Sequence, residues 1–343
     1  MQKYTLKVQE VVIETNDTVT IRFKQPALKK VKYKPGQYLT ICVNVNGRKY
    51  RRPYSISSAP GIDSTVDVTV KRVEGGVVSN FLNDSVVEGQ MMEVLEPTGD
   101  FIIDENRNSA NLLLWGAGSG ITPLLSILKT SLINSTGHIS LVYCNRDHDS
   151  VTFKEILDEM VEQNADRLKV YYIYSKPKRE DHNIFQTGRL NKQMVHKIIE
   201  GIIDPINTLH YICGPKGIKD TVVNELTSLG LPENQIYFEN FEKTIGPKEF
   251  EGVEDREISI CFNGTNSIII VEKGKSFLDA ALDSGFDLPY SCQIGTCLEC
   301  KGKILKGDVR MIGMEKVPNE LMADECLLCC SHPLTDNVQI QIN

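Results

Sequence analysis

Three textures of hydrophobic and polar patterning divide the chain. Through residue 104, apolar and polar positions alternate in short runs, as in Thr18-Val-Thr-Ile-Arg-Phe and Val66-Asp-Val-Thr-Val-Lys. Period-two alternation predicts half-buried β-strands. Asn46-Gly47 separates two such runs, a strong hairpin signal. Many short strands without a long helical pattern predict a small antiparallel β-barrel. The texture then changes. Asn111-Leu-Leu-Leu-Trp115 is a continuous apolar run, as expected of a parallel strand buried on both faces. Strand-like runs at 139–144, 168–174 and 208–213 alternate with helical runs at 152–163 and 191–199. That alternation predicts a doubly wound α/β domain. Residues 244–256 are polar and charged with a Gly-Pro, a linker by composition. Beyond them, strand-like runs at 258–262 and 267–271 and a helix over 276–284 lead into a cysteine-rich loop. The expected domains are therefore 1–104 (barrel), 105–243 (α/β), 244–256 (linker) and 257–343 (a compact C-terminal module).

Composition narrows the function classes. A chain of 343 residues is long enough for two or three domains, and 41% hydrophobic with 24% charged residues is globular. The longest apolar stretch, 112–132, is interrupted by Gly116, Gly118, Gly120 and Pro123, so no membrane insertion is expected. A net charge of −7 argues against a nucleic-acid partner. The start, Met1-Gln-Lys-Tyr-Thr-Leu-Lys, lacks the apolar core of an export signal. Ten cysteines in such a chain are expected as thiols or metal ligands in a reducing cytoplasm, not as disulfides.

The cysteines carry the most specific chemistry. Cys292, Cys297 and Cys300 are spaced C-x4-C-x2-C, and Cys326-Leu-Leu-Cys329-Cys330 follows. This is the plant-type pattern for a [2Fe–2S] cluster, which four thiolates hold. Three ligands in one short irregular loop let backbone N–H groups point at the sulfurs and offset their charge. Gly295 leaves that approach open. A structural zinc site would favour two C-x2-C-like pairs, and the vicinal Cys329-Cys330 is poorly shaped for that. On residues alone, Cys326, Cys329 and Cys330 are all candidates for the fourth ligand. A one-electron centre implies electron transfer.

Two further sets of residues suit phosphates and rings. Arg52-Pro-Tyr54-Ser55 combines a cation, an aromatic and a hydroxyl, and Gly75-Gly76-Val-Val-Ser79 sits where a helix should start. A helix N-terminus behind glycines is an anion site. In Trp115-Gly116-Ala-Gly118-Ser-Gly120-Ile-Thr122-Pro123 the glycines permit close backbone approach to a pyrophosphate, with Pro123 expected at the first helical position. The run departs from G-x-G-x-x-G because the sixth position is Ile121. Cys213-Gly214-Pro215 ends a later strand; by itself, Cys213 reads as a small buried residue. Arg146, with Lys176 or Lys178, follows strand-like runs where an adenine ribose would sit, and a cation there favours a 2′-phosphate.

Together these motifs resemble the ferredoxin–NADP reductase superfamily with a C-terminal plant-type ferredoxin domain. The order of domains is similar to oxygenase reductase components of the phenylacetyl-CoA epoxygenase reductase type. The resemblance implies an antiparallel flavin barrel, a doubly wound α/β nucleotide domain and an α+β β-grasp ferredoxin domain. It implies that Arg52, Gly75, Gly76 and Ser79 bind flavin phosphates, that Tyr54 packs on the isoalloxazine and that Ser55 lies near its reactive nitrogen. It likewise implies that Gly116, Gly118, Gly120, Thr122 and Pro123 hold the coenzyme's pyrophosphate and that Cys213, Gly214 and Pro215 lie beside its nicotinamide. Glu239-Asn-Phe241 resembles the segment that closes the reductase module beside the flavin. In that family a Pro lies four residues beyond the last cluster ligand; Pro333 then selects Cys329. The ending Cys329-Cys-Ser-His-Pro-Leu-Thr is similar to the group's, whereas Asp324-Glu325 stands where Gly-Tyr is usual.

The function so implied is electron transfer from NADPH, with NADH as the alternative, through FAD and a [2Fe–2S] cluster to a partner oxygenase or hydroxylase. FMN is the alternative flavin, because reductases of the phthalate dioxygenase type share the layout and use it. A small soluble ferredoxin or flavodoxin is the alternative acceptor. A non-enzymatic redox sensor is the reading from another class; it would be marked by a damaged flavin or nucleotide motif, and each motif here is intact.

Overall fold

The computed structural model of the protein describes residues 1–103, 109–182, 184–243, 245–314 and 316–342. The expected boundary at 104/105, the first linker residue Thr244 and the terminal Asn343 lie outside the described residues. By contact the chain separates into two compact units. One is Gln2–Tyr50 with Tyr54–Asn240; the other is Phe241–Asn343 with Met1 and Arg51–Pro53.

The alternating N-terminal runs form β1 (Lys3–Thr15), β2 (Thr18–Lys24), β3 (Tyr38–Val45), β4 (Arg48–Ser55), β5 (Thr65–Lys71) and β6 (Met91–Thr98), with helix α1 (Val77–Asp84) before β6. Their order in the sheet is β4-β3-β6-β1-β2-β5, and an Ile56–Val68 bridge joins the chain leaving β4 to β5. Asn46 and Gly47 both take positive φ (53° and 80°), as the primed turn of a two-residue hairpin requires. Inward positions such as Leu6, Ile21, Phe23, Leu39, Ile41, Val68 and Val94 are buried and make the barrel core.

The α/β part contains β7 (Asn111–Ala117), α2 (Ile121–Asn134), β8 (Ile139–Asn145), α3 (Lys154–Gln163), β9 (Leu168–Tyr174), β10 (Ile184–Thr187), α4 (Lys192–Glu200), β11 (Thr208–Cys213), α5 (Lys216–Ser228) and β12 (Ile236–Glu239). The parallel order is β10-β9-β8-β7-β11-β12. Chain direction across the sheet therefore reverses between β7 and β11. In open α/β sheets ligands bind outside the carboxyl ends of strands at such a switch point. The barrel and this sheet are fixed to each other by Ser126 Oγ donating to the Ser58 carbonyl (2.6 Å) and by Lys129 Nζ pairing with Asp63 (3.0 Å).

The second unit holds β13 (Arg256–Phe262), β14 (Thr265–Val271), α6 (Phe277–Asp283), β15 (Lys301–Lys306), β16 (Val309–Met311), β17 (Glu325–Leu327), β18 (Ser331–Pro333) and β19 (Val338–Ile342). Its main sheet runs β14-β13-β19-β15-β17, with β13 and β19 parallel, and α6 packs on it. This is the expected β-grasp arrangement. Ser276 caps α6 in a reciprocal box with Asp279. The segment expected as a linker is held against this unit. Glu249 accepts from the N–H groups of Gly246 (2.9 Å) and Gly313 (3.1 Å), Arg310 donates to the Glu251 carbonyl (2.6 Å), and Phe250 meets His332 edge-on at 5.2 Å. Among the described residues no helix is long and apolar enough to cross a membrane.

Candidate functional site

At the switch point, β7 ends in Gly116-Ala117, Gly118–Gly120 make one 3-10 turn and α2 follows. Gly118 has φ +51°, and nothing lies within 4 Å of where its Cβ would be. Gly120 is different: a Cβ there would lie 2.0 Å from the carbonyl oxygen of Cys213 and 2.8 Å from the Gly214 nitrogen. Two motifs far apart in the chain are thus in backbone contact. Thr122 Oγ1 donates to the Ser119 carbonyl at 3.0 Å and closes the turn. Pro123 stands third in α2, not first as the sequence predicted. The helix begins early because the 3-10 turn feeds straight into it, and the first four N–H groups of a helix lack partners, so Pro removes no bond there. No side chain caps the start of α2; the Ile121 N–H already donates to the Gly118 and Ser119 carbonyls and Pro123 has none, which leaves the Thr122 N–H as the first amide without a side-chain cap.

Strand β12, which ends in the Glu239 of the segment that resembles the flavin-side closure, completes the site. Register places Glu239 beside Cys213, and Ser55 Oγ at the end of β4 donates to Glu239 Oε2 at 3.4 Å. Protein packed around the Glu239 carboxyl pushes it up to about 8, against the Ser55 hydrogen bond. Cys213 is fully buried, and its thiol is pushed far up by burial first and by Glu239 second. Tyr54 packs partly against the barrel core. The resemblance of Glu239-Asn-Phe241 places Glu239 near the flavin; its partner Ser55 lies 184 residues away and is set by the fold.

The expected phosphate turn forms before α1. Gly75 has φ +69° and Gly76 is the N-cap. Ser79 Oγ accepts from the Val73 N–H (3.1 Å) and donates to the Gly76 carbonyl (3.5 Å). Asn80, not singled out from the sequence, donates to the carbonyls of Gly76 (2.6 Å) and Val73 (3.2 Å), and Arg72 donates to Asn80 Oδ1 (2.9 Å). The loop is therefore set before any ligand arrives. Arg52, in β4, donates to the Arg51 carbonyl at 2.8 Å.

After β8, Arg146 pairs through Nε with Asp147 Oδ2 at 3.1 Å while its side chain stays 68% exposed. Asp147 caps the next turn through Ser150. Burial would raise the Asp147 carboxyl, but Ser150 and Arg146 outweigh it and hold it below the usual range. Lys178 pairs with Asp149, and Lys176 offers its backbone N–H to the Arg146 carbonyl. Close by, a pocket of about 290 Å³ is lined by His148, Asp149, Lys154, Glu180, Asp181 and His182.

In the second unit the cysteine loop is strongly bent, with positive φ at Gln293 (60°), Gly295 (86°) and Leu298 (60°). Its amides meet sulfurs. Thr296 N–H donates to Cys292 Sγ (3.4 Å), Cys292 N–H to Cys297 Sγ (3.4 Å) and Cys329 N–H to Cys300 Sγ (3.5 Å). Hydrogen bonds from Cys297 and then Cys329 draw the Cys292 thiol below its ordinary range. The Cys329 thiol faces Cys292 and Cys300 as well as Cys330, whose sulfur is 3.6 Å away. Cys326 is buried in the core, its thiol raised to about 11 by burial. Gly295 has φ +86°, and a Cβ there would sit 2.8 Å from Met314 Cγ and 3.0 Å from Cys330 Sγ, so both the backbone conformation and the space favour glycine. Among the described residues no three His, Cys, Asp or Glu side chains gather on one point as ligands of a single ion do. A [2Fe–2S] unit takes its thiolates as two pairs, and amide donors to sulfur fit its negative charge.

A flavin barrel, a switch-point nucleotide site and a thiol loop define a flavin- and iron–sulfur-dependent electron-transfer oxidoreductase. Family models agree: residues 5–103 match the oxidoreductase FAD-binding domain, 114–224 the oxidoreductase NAD-binding domain and 261–334 the 2Fe-2S iron-sulfur cluster binding domain. The chain is 32% identical to one component of the 1,2-phenylacetyl-CoA epoxidase of Escherichia coli (strain K12), covering 99% of this chain and 98% of that one. It is also 32% identical to the ferredoxin reductase component of 3-ketosteroid-9-alpha-monooxygenase from Rhodococcus rhodochrous, covering 98% and 96%. The fold matches phthalate dioxygenase reductase with a TM-score of 0.69 at 22% identity over 99% of this chain and 98% of that one. The protein belongs to the oxygenase reductase components of the ferredoxin–NADP reductase superfamily, with FAD, NAD(P)H and a [2Fe–2S] cluster as its redox groups.

Proposed function

We propose that the protein takes electrons from NADPH and delivers them, by way of FAD and the [2Fe–2S] cluster, to a partner oxygenase or hydroxylase in the cytoplasm. The bound nicotinamide and flavin supply two-electron hydride chemistry and the cluster one-electron transfer. The chain supplies binding, orientation and electrostatics. Arg52, Gly75, Gly76 and Ser79 hold the flavin phosphates, Tyr54 stacks on its ring and Ser55 donates near the reactive nitrogen. Gly116, Gly118, Gly120, Thr122 and Pro123 hold the coenzyme pyrophosphate at the start of α2, Cys213, Gly214 and Pro215 shape the nicotinamide site, and Phe241 closes the flavin side. Arg146 reads the 2′-phosphate. Burial pushes the Glu239 carboxyl up to about 8, which weakens the negative charge beside Ser55 and Cys213 near neutral pH. Cys292, Cys297, Cys300 and Cys329 ligate the cluster. Ten free thiols among the described residues support a reducing compartment. Two oxygenase systems named among the 32%-identical relatives support the choice of acceptor.

The observation that carries this reading is the thiol constellation at Cys292, Cys300 and Cys329 on a chain that also has the Gly120–Cys213 switch-point contact. Protein purified without oxygen should contain roughly one flavin and two irons per chain. Addition of NADPH should bleach flavin and cluster absorption in turn, and a co-purified or genome-neighbouring oxygenase should reoxidise both. Zinc in place of iron, or a flavin that NADPH reduces while the cluster stays oxidised, would refute it.

A further inference from the structure

We infer that Lys243 is a positioning residue that raises the reduction potential of the cluster. Lys243 lies at the entrance of the segment expected as a linker, and its ammonium donates to the carbonyl oxygen of Cys329. The inference rests on the reading that Cys329 is a cluster ligand. The stem of Lys243 is fitted into place. At Gly313 (φ +79°) a Cβ would lie 3.1 Å from Lys243 Cβ and 2.9 Å from Ile245 Cγ1, so the glycine leaves the room that the stem occupies. Glu249 in turn holds the Gly313 N–H. The same charge reaches His332, which burial first and Lys243 second keep below the ordinary imidazole range. Asp279 faces the same ground with the opposite sign, but its carboxylate is tied to the N–H and hydroxyl of Ser276.

A cluster held by four thiolates is negative in both redox states and gains one further unit of charge with each electron. A fixed cation near one ligand therefore stabilises the reduced form more than the oxidised form. Polarising the ligand's own carbonyl acts in the same direction, because it draws density away from the sulfur-bearing residue. Net charge and hydrogen bonding around the sulfurs are the levers by which proteins set such potentials. Here the lever comes from outside the ferredoxin fold proper, from the stretch of chain that precedes it.

The test is a spectroelectrochemical titration of the full-length holoprotein, with flavin and cluster signals resolved, for the native chain and for Lys243→Met, Lys243→Gln and Lys243→Arg. Iron and acid-labile sulfide are counted first in each. Met and Gln should shift the cluster equilibrium toward the oxidised form by about tenfold, or ~59 mV for one electron, with the flavin potentials unmoved. Arg should restore the native value. Gln keeps a donor for the Cys329 carbonyl, so Gln behaving as Met shows that charge is the active property. Unmoved potentials at full iron content would overturn the role of Lys243 and leave the ligand assignment standing. Loss of cluster in both neutral variants would also overturn it, as a purely structural role. The ligand assignment fails separately, by full iron content in Cys329→Ser.

Discussion

Gly120 faces the end of β11 so closely that a Cβ would come 2.0 Å from the carbonyl oxygen of Cys213. Both partners are main chain, so neither can turn aside. The turn that is expected to carry the coenzyme pyrophosphate and the strand end expected beside its nicotinamide are therefore one rigid element.

Gly120→Ala should accordingly push the turn away from β11. Overpacking of this kind costs about 1–3 kcal/mol. The expected outcome is a lower thermal midpoint and a raised Michaelis constant for the coenzyme. Gly118→Ala meets no atom within 4 Å but keeps a left-handed φ of +51°. It should cost only about 1 kcal/mol. Equal effects of the two substitutions, by differential scanning calorimetry, would disprove the contact's importance.

Glu239 should make stability pH-dependent. Its folded value, about 8, lies above the ordinary carboxyl value of 4.5. The stability it contributes is therefore fully present below 4.5 and is lost as pH rises through 8. Glu239→Gln should remove that decline, by on the order of 2 kcal/mol after allowance for the solvent the carboxyl still touches. Denaturant midpoints on the acid and alkaline sides of neutrality check it: the native chain should lose more between the two than the variant does. Parallel slopes would place the proton elsewhere.

Cys329→Ser should lose or severely destabilise the cluster, because its sulfur faces both Cys292 and Cys300. Cys326→Ser should retain it, since Cys326 sits within β17 opposite Gly302 of β15 and its thiol bonds Ser331 in place of another sulfur. Cys330→Ser should also retain it, with flavin content unchanged in all three. Iron per chain is the readout. Retention in Cys329→Ser with loss in Cys330→Ser would exchange their roles.

Arg146→Ala should raise the Michaelis constant for NADPH roughly tenfold more than that for NADH, the scale of one charge-assisted hydrogen bond to phosphate. The native Arg146 leans on Asp147 at 3.1 Å, so the phosphate must compete with a carboxylate that is already there. Equal changes for both coenzymes would remove Arg146 from 2′-phosphate recognition.

Much of the architecture is written locally. The Asn46-Gly47 hairpin, the cap at Ser276, the buried run of β7 and the three-cysteine loop each depend on residues a few positions apart, where backbone propensity and ligand spacing act directly. Short elements carry little local signal. β10 and β12 have four residues each, too few for a period to declare itself, and they exist because parallel neighbours pair with them. Pro123 moved two positions along its helix because a preceding 3-10 turn decided where the helix begins. The site's decisive contacts are all long-range: Ser55 with Glu239, Gly120 with Cys213, Lys243 with Cys329. The chemistry the chain carries is legible along the chain, since cysteine spacing, glycine turns and strand periodicity are local properties. Which distant groups share charge and hydrogen bonds emerges from the folded chain alone, because strand order and register, not spacing along the chain, bring those atoms together.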